Sequence, residues 1–170
     1  MGYTHYFELR KGEYKLSKKC LVDIKKVITK YKKIIQYESD DNRDPIVTEE
    51  LIRFNGIGKN GHETFFIRIP PIESDYSKFE KGFLFNFCKT ARKPYDIVVC
   101  EVLLILKAEL QDKMKLSSDG FSNSICAFDG AWSDAIENIK NMNYVIVCNV
   151  YSRELSIYYD CEIKSVLKEK

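Results

Sequence analysis

At 170 residues, with 45% hydrophobic and 31% charged side chains, the chain is long enough to bury a core of its own and too apolar to be disordered. Lys plus Arg number 27 against 25 Asp plus Glu; a net charge of +2 is too small to argue a nucleic-acid partner from bulk charge, so any such partner has to be argued from local clustering. The longest apolar stretch, around 97–106, is interrupted by Glu101 and is too short to span a bilayer, so a soluble, cytoplasmic protein with no membrane partner is expected.

Residues 2–9 alternate, with Tyr3, His5, Phe7 and Leu9 on one face, and predict a strand in which His5 is a hydrogen-bonded core residue. Ser17 then caps a helix over about 17–36. Leu21, Ile24, Val27, Ile28, Tyr31, Ile34 and Ile35 form its apolar stripe, and Lys18, Lys19, Lys25, Lys26, Lys30, Lys32 and Lys33 its basic face. That face reads first as solvated, its lysines screened by Glu38-Ser39-Asp40-Asp41, though a basic amphipathic helix can also meet a nucleic-acid backbone. Glu49–Ile57 and Glu63–Ile69 predict paired strands. Between them Gly56-x-Gly58-x-x-Gly61 matches a dinucleotide fingerprint in form only, because a strand follows the glycines where the fingerprint needs a helix.

Phe83, Phe85 and Phe87 share one face of a further strand and are expected to feed the core. Pro94 then opens a helix over about 94–111 that is apolar nearly all round and so should be buried nearly all round. Ser117-Ser118-Asp119-Gly120 predicts a turn, placing Asp119 about 25–30 Å from Arg92 at the far end of that helix. Residues 121–130 read as irregular, 131–142 as a short helix, 145–150 and 155–161 as a hairpin, and 164–170 as a frayed tail. The interspersed elements make a single α+β domain, mainly antiparallel sheet packed on the 94–111 helix and the basic helix.

The densest chemistry lies at Lys89-Thr90-Ala91-Arg92-Lys93. Three cations and a hydroxyl precede a helix N-terminus, an arrangement suited to phosphate or carboxylate, so Lys89, Thr90, Arg92, Lys93 and Tyr95 are the expected ligand-binding residues. The alternative is that Arg92 is a surface residue or pairs with Asp96 or Asp119. His62, Glu63 and Asp119 are the available catalytic acids and bases, and Cys88 beside Lys89 would have a lowered pKa if exposed. With two histidines and six cysteines that form no C-x-x-C pair, neither a metal centre nor a cofactor is expected, and the cysteines read as free buried thiols.

The opening Met1-Gly2-Tyr3-Thr4-His5-Tyr6, then Arg53-Phe54-Asn55-Gly56, Glu63-Thr64-Phe65, the run from Phe87 to Asp96 and Ser118-Asp119-Gly120 resemble a family of small bacteriophage and prophage proteins. Those proteins begin M-G-Y-T-H-Y and carry F-N-G, E-T-F, F-C-K-T-A-x-x-P-Y-D and S-D-G in the same order. The resemblance spans roughly residues 1–135 and implies a phage-encoded protein in the host cytoplasm. The function expected is an accessory binding protein that counters host defence by sequestering a nucleotide or other anionic ligand. A small hydrolase or transferase acting on nucleotides or nucleic acid, and a module that docks on a host protein, stay open as alternatives.

Overall fold

A computed structural model describes residues 2–121, 129–153 and 156–165. The chain runs β1 (Thr4–Arg10), α1 (Lys18–Lys30), β2 (Ile35–Gln36), β3 (Ile46–Val47), β4 (Leu51–Gly56), β5 (Phe65–Arg68), β6 (Phe79–Glu80), β7 (Phe83–Lys89), α2 (Asp96–Leu110), β8 (Met114–Ser118), α3 (Gly130–Lys140), β9 (Tyr144–Arg153) and β10 (Ser156–Ser165). One antiparallel sheet has the order β6-β7-β1-β8. In a second, β4 pairs with β2, β3 and β5, and β9 and β10 form a separate hairpin. This is the expected α+β domain, with helix α2 at its centre: α2 is buried at every position but Ile97, Lys107 and Glu109, and it packs against α1, α3, β8 and β10.

Local chemistry sets the helix ends. Ser17 Oγ accepts the Cys20 N–H at 3.2 Å, and the Glu109 carboxylate accepts both the N–H and the hydroxyl of Ser17, tying the start of α1 to the end of α2. Lys107 Nζ donates to the carbonyls of Gln111 and Met114, where a cation is favoured by the helix dipole. Helix α1 stops at Lys30, six residues short of the expected end. Its apolar spacing continues through Ile34 and Ile35, but Ile35 pairs with Gly56 as part of β2, and a two-residue strand cannot be told from a helical turn by periodicity. The acidic segment that follows pairs with Arg43 and Arg53 rather than with the lysines.

Three differences bear on the site. Helix α2 starts at Asp96, leaving Pro94 in the preceding turn. After α2 the chain does not stay at the far end of the helix: β8 runs back antiparallel to β1, with Leu9 opposite Met114 and His5 opposite Ser118. Asp119 is thereby returned to the N-terminal end of α2, against the expected 25–30 Å separation from Arg92. On β7 it is Leu84 and Cys88 that are buried, whereas Phe85 and Phe87 are 51% and 54% exposed. The hairpin is longer than expected, with Arg153 opposite Ser156, and Lys164 and Ser165 belong to β10 rather than to a frayed tail. The irregular stretch expected over 121–130 and the tail beyond 165 lie mostly outside the described residues.

A buried carboxylate ties helix α1 to the start of β9. Asp23, 4% exposed, accepts from Lys19 (2.6 Å), Lys26 (3.0 Å) and Tyr144 (2.9 Å). Burial by itself would raise its pKa, but those donors outweigh burial and hold the carboxyl below the usual carboxylate range. A carboxyl whose folded pKa lies below its unfolded value, about 3.9, contributes stability that is present above that value and lost as pH falls through the folded one. Acid titration followed by far-UV circular dichroism should therefore show stability falling below about pH 4. Asp23→Asn should be less stable at neutral pH and show a flatter acid limb.

Candidate functional site

Several sequence segments singled out above meet at the N-terminal end of α2, in one hydrogen-bonded cluster. His5, fully buried on β1, lies 2.6 Å through Nε2 from Asp96 Oδ1 and 2.9 Å through Nδ1 from Ser118 Oγ. Thr90 donates its hydroxyl to the same Asp96 oxygen at 2.5 Å. The rings of Tyr3 and Trp132 meet His5 edge-on, with centroids 5.3 and 5.2 Å away. Gly120 sits where a Cβ would strike the Tyr3 hydroxyl, Trp132 and Asp129, so only glycine lets this turn close.

Ser118, His5 and Asp96 are joined in the order of an acyl-transfer triad, but the hydrogen bonds give them a structural role. Ser118 Oγ accepts N–H groups from Gly120 (3.0 Å) and Trp132 (2.9 Å), which uses both of its lone pairs. Its own hydrogen is left for His5 Nδ1, which assigns the Nε2–H tautomer facing Asp96. A hydroxyl with both lone pairs engaged, beside a histidine with no exposed surface, is poorly set up to attack a substrate.

His5, Asp96 and Cys100 bring three potential metal-ligand atoms within 4.8 Å of one another. The 2.6 Å His5–Asp96 contact is a hydrogen bond that already occupies both atoms, and burial keeps the Cys100 thiol well above its ordinary pKa, so the set fits a proton-bonded core better than a cation.

The expected ligand-binding residues do not share an open pocket. Thr90 and Tyr95 are fully buried, and the Tyr95 hydroxyl donates to the Glu63 carbonyl at 2.6 Å. Lys93 Nζ donates to the Lys59 carbonyl. Arg92 is exposed, but it pairs with Asp129 at 2.7 Å and stacks on the Tyr3 ring at 4.0 Å, so neither Asp96 nor Asp119 is its partner. Ala91 and Arg92 both hold positive φ (51° and 55°), a conformation costly for non-glycine residues, while the Thr90 and Ala91 N–H groups converge on the Tyr3 carbonyl. Asp96, buried under this turn, fills the space at the head of α2 where an anion was expected. Of the five, Lys89 is left half-buried with its ammonium lying over Gly2.

The catalytic candidates are likewise separated. The Glu63 carboxylate accepts the Lys89 N–H at 2.7 Å, outside β7, and Asp119 accepts the Thr4 N–H at 2.9 Å, on the far side of β1. With β7 and β1 between them, their backbones stand on the order of 14 Å apart at about 4.8 Å per strand. His62 is exposed, and its main chain is clasped by the Asn55 side chain, which closes the glycine loop. Cys88 is fully buried; burial first, and then the Glu63 charge, raise its thiol pKa well above the ordinary value, so the lowered pKa foreseen for an exposed thiol does not arise. On the basic helix face, Lys19, Lys26 and Lys30 are drawn into pairs with Asp23 and Glu101.

The feature that sequence reasoning misassigned is the outer face of the β6-β7-β1-β8 sheet. The register sets Tyr6 opposite Phe87, Glu8 opposite Phe85 and Arg10 opposite Phe83, with Lys115 beside Glu8. The Tyr6 and Phe85 rings are stacked at 6.3 Å, and Phe85 and Phe87 lie 6.1 Å apart. Lys115 and Arg10 sit over Phe83 at 3.9 and 5.3 Å. The signal for this face was present in the alternation of 83–88, but alternation alone does not say which face is inward. A separate shallow pocket of about 230 Å³ lies between β5 and β7, lined by Phe66, Arg68, Ile72, Leu84 and Asn86, and none of the expected site residues reaches it.

No helix among the described residues is long and apolar enough to cross a membrane. No protein-family profile, curated protein or solved structure matches the chain.

Proposed function

We propose that this is a binding protein rather than an enzyme, and that it takes an anionic, base-bearing ligand on the open face of its larger sheet. The observation that carries this is the patch of Tyr6, Phe85 and Phe87 on two adjacent central strands, with Phe85 and Phe87 about half exposed. Leaving two phenylalanines half in water forgoes about 2 kcal/mol each of burial, and a contiguous exposed aromatic patch on a small domain marks a contact surface. Flat rings on an open sheet, with Lys89 at one end and Arg10 and Lys115 at the other, suit the stacking of nucleobases with phosphates at the margin. This keeps the expectation of a nucleotide or other anionic ligand but moves it off the Lys89–Tyr95 turn.

In the setting implied by the resemblance to phage proteins, such a face would sequester a host nucleotide or nucleic acid in the cytoplasm. A hydrolase or transferase using His62, Glu63 and Asp119 is less favoured, because the two carboxylates each hold a backbone N–H on opposite sides of a strand pair.

Ultraviolet cross-linking to a pool of labelled nucleotides and short single strands, followed by peptide mass mapping, tests the reading. The expected adducts lie on Tyr6 or within Phe83–Lys89. Phe85→Ala should weaken binding tenfold or more, the equivalent of about 1–3 kcal/mol per stacked base. Adducts confined to other segments, or none, would count against the face.

A further inference from the structure

We infer that the ligand of this face is a single-stranded nucleic acid of several consecutive nucleotides, not a free mononucleotide; the inference rests on the stacking role just proposed.

The spacing of the rings is the first argument. Tyr6, Phe85 and Phe87 are separated by 6.3 and 6.1 Å, and the Phe85 and Phe87 planes are inclined by 33°. One base cannot lie flat on two rings so spaced and so tilted, so each ring calls for a base of its own. Along β7 the step between Phe85 and Phe87 is about 6.8 Å at about 3.4 Å per residue, a distance that one sugar–phosphate unit bridges.

The charges supply the second argument. Lys89 and Phe83 are at opposite ends of β7, about 20 Å apart by the same rise, and two further cations, Arg10 and Lys115, gather at the Phe83 end. There Arg10 pairs with Asp112 at 3.1 Å and Lys115 with Glu8, so that phosphate would compete with those carboxylates. A mononucleotide cannot meet both ends, whereas a strand of a few nucleotides can. Glu8 sits between them, opposite Phe85 and paired with Lys115 at 2.8 Å. A carboxylate in the middle of the face repels phosphate there, which favours bases over the centre and backbone at the edges. A duplex, whose bases face one another, has none free to stack on an open sheet, so the single strand is the form that fits.

The test is a chain-length series. Fluorescein-labelled oligo-dT of one, two, four and eight nucleotides, and oligo-rU of eight, are titrated with the full chain and read by anisotropy at two salt concentrations. Affinity should rise at least tenfold between one and four nucleotides, for either sugar. The Phe85→Ala/Phe87→Ala double variant should lose that gain while Phe85→Trp retains it, and Lys89→Ala should reduce the salt slope by about one. Melting curves of each variant establish that it is folded. Equal affinity for one and eight nucleotides would overturn the inference and leave the stacking face standing for a small ligand. Equal competition by a duplex or by inorganic polyphosphate would also overturn it. Failure of every probe to bind would remove the stacking face itself.

Discussion

His5→Ala is expected to lower the melting temperature by about 10 °C or more, through a loss of about 3–5 kcal/mol. The substitution removes the ring that holds Asp96, a carboxylate only 5% exposed, and leaves it with the Thr90 hydroxyl as its remaining side-chain partner. It also strips the acceptor from Ser118 and opens a cavity between Tyr3 and Trp132. A domain of this size is stable by only about 5–15 kcal/mol in total, so the loss is a large fraction. Asp96→Asn should cost less, about 1–2 kcal/mol, because the amide oxygen can still accept from His5 and Thr90. Chemical denaturation of the single and double alanine variants should give a coupling between His5 and Asp96 above about 1 kcal/mol. If His5→Ala melted within a degree or two of the parent but lost its ligand, the cluster would have to be read as a site rather than as structure.

That experiment matters because the Ser118–His5–Asp96 order looks like chemistry in the structure, whereas the sequence reads His5 as a hydrogen-bonded core residue. The elements themselves were legible where a pattern was long. The alternation of β1 indicated both a strand and its inward face, and His5, placed on the apolar side of that strand, is buried there. The nearly all-apolar run of α2 indicated a helix buried on nearly every side. Short elements were not legible. Strand β8 carries only Met114, Leu116 and Ser118 on its inward side, too few to distinguish it from the end of the preceding helix, and missing it put Asp119 at the wrong end of the molecule. The cations of residues 89–93 were visible, but their partners were not: Asp129 and the Lys59 carbonyl come from segments distant in sequence, and only folding brings them to Arg92 and Lys93. Phe83, Phe85 and Phe87 were identified as one face of a strand, and their hydrophobicity pointed inward. The helix α2 occupies the other side of that sheet, so Leu84 and Cys88 take the core and the phenylalanines are left outside.

Glu101→Ala should be the second large loss, about 3 kcal/mol, and it isolates how the three helices are held in register. Glu101 is 1% exposed in the middle of the most apolar helix, and its Oε1 accepts from Tyr31 at 2.6 Å, Asn138 at 2.7 Å and Lys30 at 3.3 Å. One oxygen thus joins α1, α2 and α3. Burial first, and then the hydrogen bond to this carboxylate, push the Tyr31 hydroxyl well above its ordinary pKa, which keeps it a donor throughout the accessible pH range. Removing the carboxylate leaves a cavity and three donors without their acceptor. Those donors belong to residues that keep some contact with solvent, so water can satisfy them if the cavity is filled. Glu101→Met, which restores volume without charge, should therefore recover most of the loss and fall within about 1.5 kcal/mol of the parent, as a swap that keeps core volume does. The expected ordering in urea is parent and Glu101→Met close together, with Glu101→Ala far below. A methionine variant as unstable as the alanine one would mean that the charge itself, rather than the filled space, carries the contact. If Glu101→Met matches the parent in midpoint but broadens its unfolding transition, the carboxylate serves to specify one packing of α1 and α3 on α2 rather than to add stability.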